Sequence, residues 1–242
     1  MHRFFLLESA IHLHQTVDLS PLAHQLQKVL RLAPGALIIV LDNQGDEFDV
    51  RITALQHNCA QGEVLAQRCN VAEPATQLTL YQCSLKADKF EWVLQKGTEL
   101  GVSRFVPVIS ERSIVRPAAT LLKKYARWQA IVREAAEQCG RGRIPNLLAP
   151  LDWKAALCDA TGLRLLPWET VNQAAPLLTT TIRASRESGQ GIALLIGPEG
   201  GISAAEAAQA QAAGWQPVSL GPRILRAETA ALAAVNLTLS LI

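Results

Sequence analysis

The sequence predicts an α/β protein in two parts. A small β-rich amino-terminal domain spans residues 1–73, and a larger domain built on a parallel sheet spans residues 74–242. Three observations predict this. Short apolar runs separated by turn residues fill the first part. After Pro74, apolar runs alternate with stretches of helical period, the pattern of strands joined by crossover helices. Two of the later runs, at 192–196 and 215–220, end in glycine-containing turns, which puts a ligand cleft at the carboxyl ends of parallel strands.

With 242 residues and 49% hydrophobic content the chain can bury a sizeable core. No apolar stretch approaches the roughly 18 residues of a membrane helix, so no membrane contact is expected. The amino-terminal MHRFFLLESAIHLH lacks an h-region and a small-residue cleavage site and reads as part of the fold. Cys59, Cys69, Cys83, Cys139 and Cys158 form no CxxC pair, which predicts reduced thiols in a cytoplasmic protein and neither disulfides nor zinc. His12 and His14 alternate along a predicted strand, and no histidine sits with carboxylates at metal-ligand spacing, so no metal is expected. The net charge of +2 hides an asymmetry: residues 1–75 carry 5 basic and 8 acidic side chains, whereas 104–143 carry 9 basic and 3 acidic. The latter is either a surface for a polyanion such as nucleic acid or a solvated charged face.

In the first domain, strands are predicted at Arg3–Leu7, Ala36–Leu41, Glu47–Ile52 and Gly62–Ala66. A short helix is predicted from Ser20 to Leu30, with Ser20 as N-cap and Pro21 at the first helical position. This spacing of short strands suggests a small β-barrel. In the second domain, Gln77–Leu85 reads as a strand, Asp88 as the N-cap of a helix, and Gly101 as its left-handed stop. Arg104–Ile109 is the next strand, followed by a loop with Arg112 and Arg116. Leu121–Cys139 reads as one long helix. If it continued past Gly140, Arg127, Glu134, Gln138 and Arg141 would share one stripe. A short helix over 152–159, a strand over 162–166 ending in Pro167-Trp168-Glu169, and a helix over 177–185 follow.

The most informative stretch is Ile192 to Ala230. An apolar strand, Ile192–Ile196, runs into Gly197-Pro198-Glu199-Gly200-Gly201, where glycines let a ligand approach bare backbone. Ser203 and Glu206 form a capping box, and Gly214 ends the helix. A second strand, Trp215–Leu220, runs into Gly221-Pro222-Arg223-Ile224-Leu225-Arg226, and an almost wholly apolar helix runs to Ile242. The turns fit neither GxGxxG nor GxxxxGK[ST], which disfavours dinucleotides and nucleoside triphosphates.

GPEGG followed by LG-x-RILR-x-ETA resembles the SPOUT-class RNA methyltransferases. K-x-x-ELGV (Lys96 to Val102), ER-S (Glu111 to Ser113) and E-x-x-EQ-x-x-R (Glu134 to Arg141) resemble one of their families, the ribosomal RNA small subunit methyltransferases E. The resemblance implies a PUA-like amino-terminal β-barrel, a trefoil-knotted α/β domain and a homodimer that buries the last helix. It implies S-adenosylmethionine as cofactor, held largely by backbone in three loops: Leu166, Pro167 and Glu169; Ile196, Gly197, Glu199, Gly200 and Gly201; and Leu220, Gly221, Ile224, Leu225 and Arg226. The implied reaction is methylation of uridine N3 in small-subunit ribosomal RNA, naked or in the assembled subunit. The donor is already activated, so no metal is required. Arg226 is expected to hold the base or stabilise its anion, with Glu228 or Glu137 as proton acceptor; for Glu228 the alternative is capping of the last helix. Arg3, Lys28, Arg31, Arg112, Arg116, Arg127 and Arg141 are the expected RNA contacts. Ribose 2′-O methylation by a related enzyme and a non-catalytic RNA-binding assembly module are the competing readings.

Overall fold

The computed structural model describes residues 1–7, 10–115, 117–169, 175–185 and 190–242. The chain forms two compact units. One comprises residues 1–73 with 136–144; the other comprises 74–135 with 145–242.

The first unit is a five-stranded mixed sheet of β1 (Arg3–Phe5), β2 (Thr16–Asp18), β3 (Leu37–Leu41), β4 (Asp46–Gln56) and β5 (Cys59–Cys69), in the order β1-β3-β4-β5-β2. Only the β1–β3 pair is parallel. Alternation in β3 sends Ile38 and Val40 into one cluster with Phe4, Val50 and Ile52, and Ile39 and Leu41 into a second with Phe5. The second cluster is closed by Ala136 and Ile144, which explains why 136–144 belong here. The expected helix over 20–30 forms as a turn of 3-10 helix at Ser20–Leu22 and a π-helical stretch at Gln25–Val29. Leu19, not Ser20, is the N-cap; Ser20 Oγ accepts the N–H of Ala60 instead. His12 and His14 lie in a turn, with His14 at φ 60°, rather than on a strand.

The second unit is a parallel sheet. Its elements in chain order are β6 (Leu78–Cys83), α1 (Ala87–Leu100), β7 (Arg104–Ile109), α2 (Ala118–Leu122), α3 (Tyr125–Cys139, whose residues from Ala136 on count with the first unit), β8 (Asn146–Leu147), β9 (Leu151–Asp152), α4 (Trp153–Asp159), β10 (Leu163–Pro167), α5 (Leu178–Ser185), β11 (Ile192–Ile196), α6 (Ala204–Ala212), β12 (Gln216–Val218) and α7 (Ala227–Leu239). The strand order is β12-β10-β11-β6-β7-β8, with the two-residue β9 also on β7. All five residues of β11 are buried, as a strand covered on both faces demands. The core joins Tyr81, Val106, Val108, Leu166, Ala193 and Leu195 to Trp153 and Trp215.

Lys86, not Asp88, is the N-cap of α1; Asp88 lies in its first turn, where its charge favours the helix dipole. Gly101 ends α1 at φ 104°, as its position predicts. The long helix expected over 121–139 is broken at Lys123-Lys124 into α2 and α3. It does not pass Gly140, which sits at φ 82°. The stripe from Arg127 to Arg141 is therefore not formed. In the first unit the Arg141 side chain is buried and donates from Nε and Nη2 to the two oxygens of Glu73, at 3.1 and 2.8 Å. Glu73 also accepts the N–H of Arg143. Arg141 thus serves as a structural ion pair and offers no exposed surface to RNA.

Removing one member of such a pair strands the other in low dielectric. We expect Arg141→Met to cost about 2 kcal/mol, because Glu73 keeps some contact with water. Urea denaturation followed by circular dichroism measures this directly.

Candidate functional site

Strands β12, β10, β11 and β6 are adjacent and parallel, so the segments that follow them leave the sheet side by side. Two adjoining cavities lie there in the second unit. The larger, about 500 Å³, is lined by Pro167–Glu169, Ala175, Leu177 and Ser219–Leu225. The smaller, about 320 Å³, is lined by Ile196–Glu199, Gly201, Ile224–Ala227 and Lys89. They share Pro167, Glu169, Ile224, Leu225 and Ala230. Both volumes fall in the ordinary range for small-molecule sites.

Side chains fix the loops to one another. Trp168 Nε1 donates to the Ile202 carbonyl at 3.2 Å and Gln82 Nε2 to the Gly197 carbonyl at 3.4 Å. The capping box forms as predicted, with Ser203 Oγ accepting the Glu206 N–H. The same serine donates to Glu111 at 2.8 Å, and Glu206 accepts the Glu111 N–H at 2.7 Å. Arg112 Nη1 donates to the Gly200 carbonyl at 3.0 Å. The ER-S loop therefore buttresses the glycine loop. Gly201 sits at φ 70°, a left-handed conformation that favours glycine at that junction, with the Glu169 carboxylate beside it.

The charges gather around the smaller cavity. Lys89, on the first turn of α1, lies 3.2 Å from Glu228 Oε1 and 3.9 Å from Glu199 Oε1. Glu199 Oε1 also accepts the N–H of Lys86. Burial pushes the Glu228 carboxyl up, but its own backbone N–H and the Lys89 ammonium outweigh this, with Arg226 adding to them, and hold it below the usual 4.5. Arg226 is the exposed N-cap residue of α7 and lines the smaller cavity.

Eleven of the thirteen expected cofactor residues line these cavities. Leu166 does not, because its side chain is fully buried in the sheet core, and neither does Gly200, which is exposed with its carbonyl held by Arg112. Glu228 lines neither cavity and turns its carboxylate to Lys89. Glu137 is absent from the cavities as well: in the first unit its Oε1 accepts the Phe5 N–H of edge strand β1 at 2.9 Å. Of the expected RNA contacts, Arg3, Lys28, Arg31 and Arg141 lie in the first unit. Lys28 and Arg31 are exposed, whereas Arg3 is partly buried against Gly140. Arg127 is exposed but paired bidentately with Glu91, at 2.9 and 2.8 Å. Arg116 lies outside the described residues. Lys89 and Trp168 are site residues that the sequence does not single out. The signal for Lys89 is its place at the exit of β6, which neighbours β11. Among the described residues, no cluster of His, Cys, Asp and Glu could hold a metal ion, and no helix is long and apolar enough to cross a membrane.

The RNA methyltransferase domain family matches residues 72–239. The ribosomal RNA small subunit methyltransferase E of Synechocystis sp. is 38% identical over 88% of this chain and 70% of that protein. The protein of the same name from Bacillus subtilis is 30% identical over 88% of this chain and 85% of its own length. The solved structure of a ribosomal RNA small subunit methyltransferase E from Neisseria gonorrhoeae, bound to S-adenosyl methionine, superposes with a TM-score of 0.84. It is 38% identical and covers 97% of this chain and 95% of that one. A putative methyltransferase from Legionella pneumophila in complex with the same molecule gives 0.84 at 29% identity, covering 98% and 96%.

The depressed Glu228 carboxyl has a consequence for stability. A carboxylate whose folded value lies below its unfolded one contributes fully above the unfolded value. Its contribution is lost as pH falls through the folded one. Glu228→Gln should therefore lower Tm at neutral pH, and the gap to the parent should close below the ordinary 4.5. Thermal melts from neutral pH to about pH 3 follow this closure.

Proposed function

The chain belongs to the RNA methyltransferase family, among the ribosomal RNA small subunit methyltransferases E, and on that premise we propose that it methylates N3 of a uridine in small-subunit ribosomal RNA with S-adenosylmethionine as donor. The observation that carries the proposal is the meeting of three loops, from β10, β11 and β12, around two adjoining cavities. The larger cavity suits the donor. Leu177, Leu220 and Ile224 give it apolar walls, and Gly221, at φ 110°, has nothing within 4 Å of where a Cβ would stand. Backbone is thus open to a ligand there. When bound, the donor supplies a methyl group on a positively charged sulfur.

The chain's own residues then have three tasks. Pro167, Gly221 and Leu225 shape the pocket for the donor. Arg226, at the smaller cavity, carries the charge that an ionising imide needs. Uridine N3 lies on the Watson–Crick edge, so the base enters unpaired or flipped out. The cavity beside the glycine loop has room for one ring.

We read the first unit as the PUA-like barrel and RNA-binding domain, residues 1–73 in outline, with exposed Lys28 and Arg31 supporting contact with phosphates. The second unit, from residue 74, is the methyltransferase domain. The insertion of β11 between β6 and β10 supports a trefoil knot. The partial exposure of Leu232 and Leu237 on α7 supports a homodimer. An enzyme acting on ribosomal RNA, naked or in the subunit, works in the cytoplasm.

Mass spectrometry of nucleosides from treated small-subunit RNA tests the proposal. N3-methyluridine is the expected product, and a ribose-methylated nucleoside would overturn it. Arg226→Ala should lower methyl transfer at least about 100-fold with the fold intact. Arg112→Ala removes the clamp on Gly200 and should weaken donor binding by about 1 kcal/mol, or about fivefold, in titration calorimetry.

A further inference from the structure

Loss of the N3 proton, which methyl transfer requires, sends negative charge onto both carbonyl oxygens that flank that nitrogen. One cation answers one oxygen. The smaller cavity carries two: Arg226 from the start of α7 and Lys89 from the start of α1. We propose, resting on the function above, that Lys89 is a second catalytic residue. Its ammonium faces one imide oxygen of the target uracil while Arg226 faces the other, and Glu228 is the positioning residue that aims it.

The geometry supports each part. Lys89 is partly exposed and lines the cavity, while Glu228 does not line it and stands 3.2 Å from Nζ. Glu199, on the glycine loop, stands 3.9 Å from the same nitrogen and is anchored by the Lys86 N–H. An ammonium has three N–H donors. Contacts with Glu228 and Glu199 take two at most, which leaves one for the cavity. The charged groups around Nζ are therefore Glu228, Glu199 and, elsewhere on the wall of the smaller cavity, Glu169 and Arg226.

In the step itself, the N3 proton passes to water. The N3 electron pair forms the new N–C bond, and the pair of the broken S–C bond stays on sulfur. Lys89 and Arg226 remain protonated throughout and lower the energy of the uracil anion. Glu228, turned to Lys89, need not take the proton.

The test compares Lys89→Met with the parent on small-subunit RNA carrying either uridine or 5-fluorouridine at the target. Fluorine makes N3 more acidic, so the anion needs less help. The expected result is a loss of about 100-fold in turnover on uridine that narrows to about 10-fold on 5-fluorouridine, with S-adenosylmethionine affinity unchanged. Lys89→Arg should retain most activity, and Glu228→Gln should show a smaller loss with the same narrowing. Equal loss on both RNAs, or a matching loss of donor affinity, would overturn the inference by making Lys89 a structural or donor-binding group. Parent turnover with a product other than N3-methyluridine would instead bring down the functional reading and this inference with it. A normal melting temperature for Lys89→Met excludes unfolding as the cause of any loss. Should that variant not fold, Lys89→Gln takes its place in the same comparison.

Discussion

The pairing of β11 with β6 on one side and β10 on the other is the constraint on which the second unit depends. All five residues from Ile192 to Ile196 are buried, so the strand is held by two hydrogen-bond ladders and apolar cover on both faces. Displace it, and β6 loses β10's half of the sheet. Because β10, β11 and β12 are parallel and packed in one block, their exits are forced to be neighbours. The cavities are a by-product of that packing order. No charged residue is needed inside the sheet to make them.

What the strands place, side chains refine. The glycine loop and its exit are reached from four directions: by Trp168, by Gln82, by Arg112, and by Lys86 through Glu199. Each contact uses a backbone group that a tight turn leaves without a ladder partner. The loop therefore carries little freedom to be lost when a ligand arrives, which favours affinity without adding contacts. The same economy explains the charges. Glu228 is a weak base because its own backbone N–H and Lys89 stabilise the carboxylate, and its ion pair also holds Lys89 in place.

Much of this is legible in the chain. Strand Arg104–Ile109, strand Ile192–Ile196, the Gly101 stop and the Ser203–Glu206 box appear where local chemistry puts them. These signals are short-range: apolar runs, a left-handed glycine, a serine three residues before a glutamate. Local chemistry misleads where distant partners decide. Ser20 has the chemistry of a cap, but Ala60 claims its hydroxyl. Glu137 has the chemistry of a proton acceptor, but the edge strand β1 needs a partner for the Phe5 amide. Arg141 falls at the end of a stripe of Arg, Glu and Gln on an ideal helix, but a positive φ at Gly140 turns the chain and delivers it to Glu73. Lys89 is hidden because its value depends on which strand lies beside β6, and sequence order does not reveal that.

Residues 136–144 complete the first unit from far downstream. Ala136 and Ile144 close a hydrophobic cluster, Glu137 satisfies β1, and Arg141 and Arg143 bind Glu73. During synthesis from the amino terminus, the first seventy-three residues must therefore wait, lacking one wall and several hydrogen-bond partners, while β6, α1, β7 and most of α3 emerge. The nascent unit is exposed to proteases and chaperones for that interval, and a fragment cut after Glu73 would remain in that unfinished state.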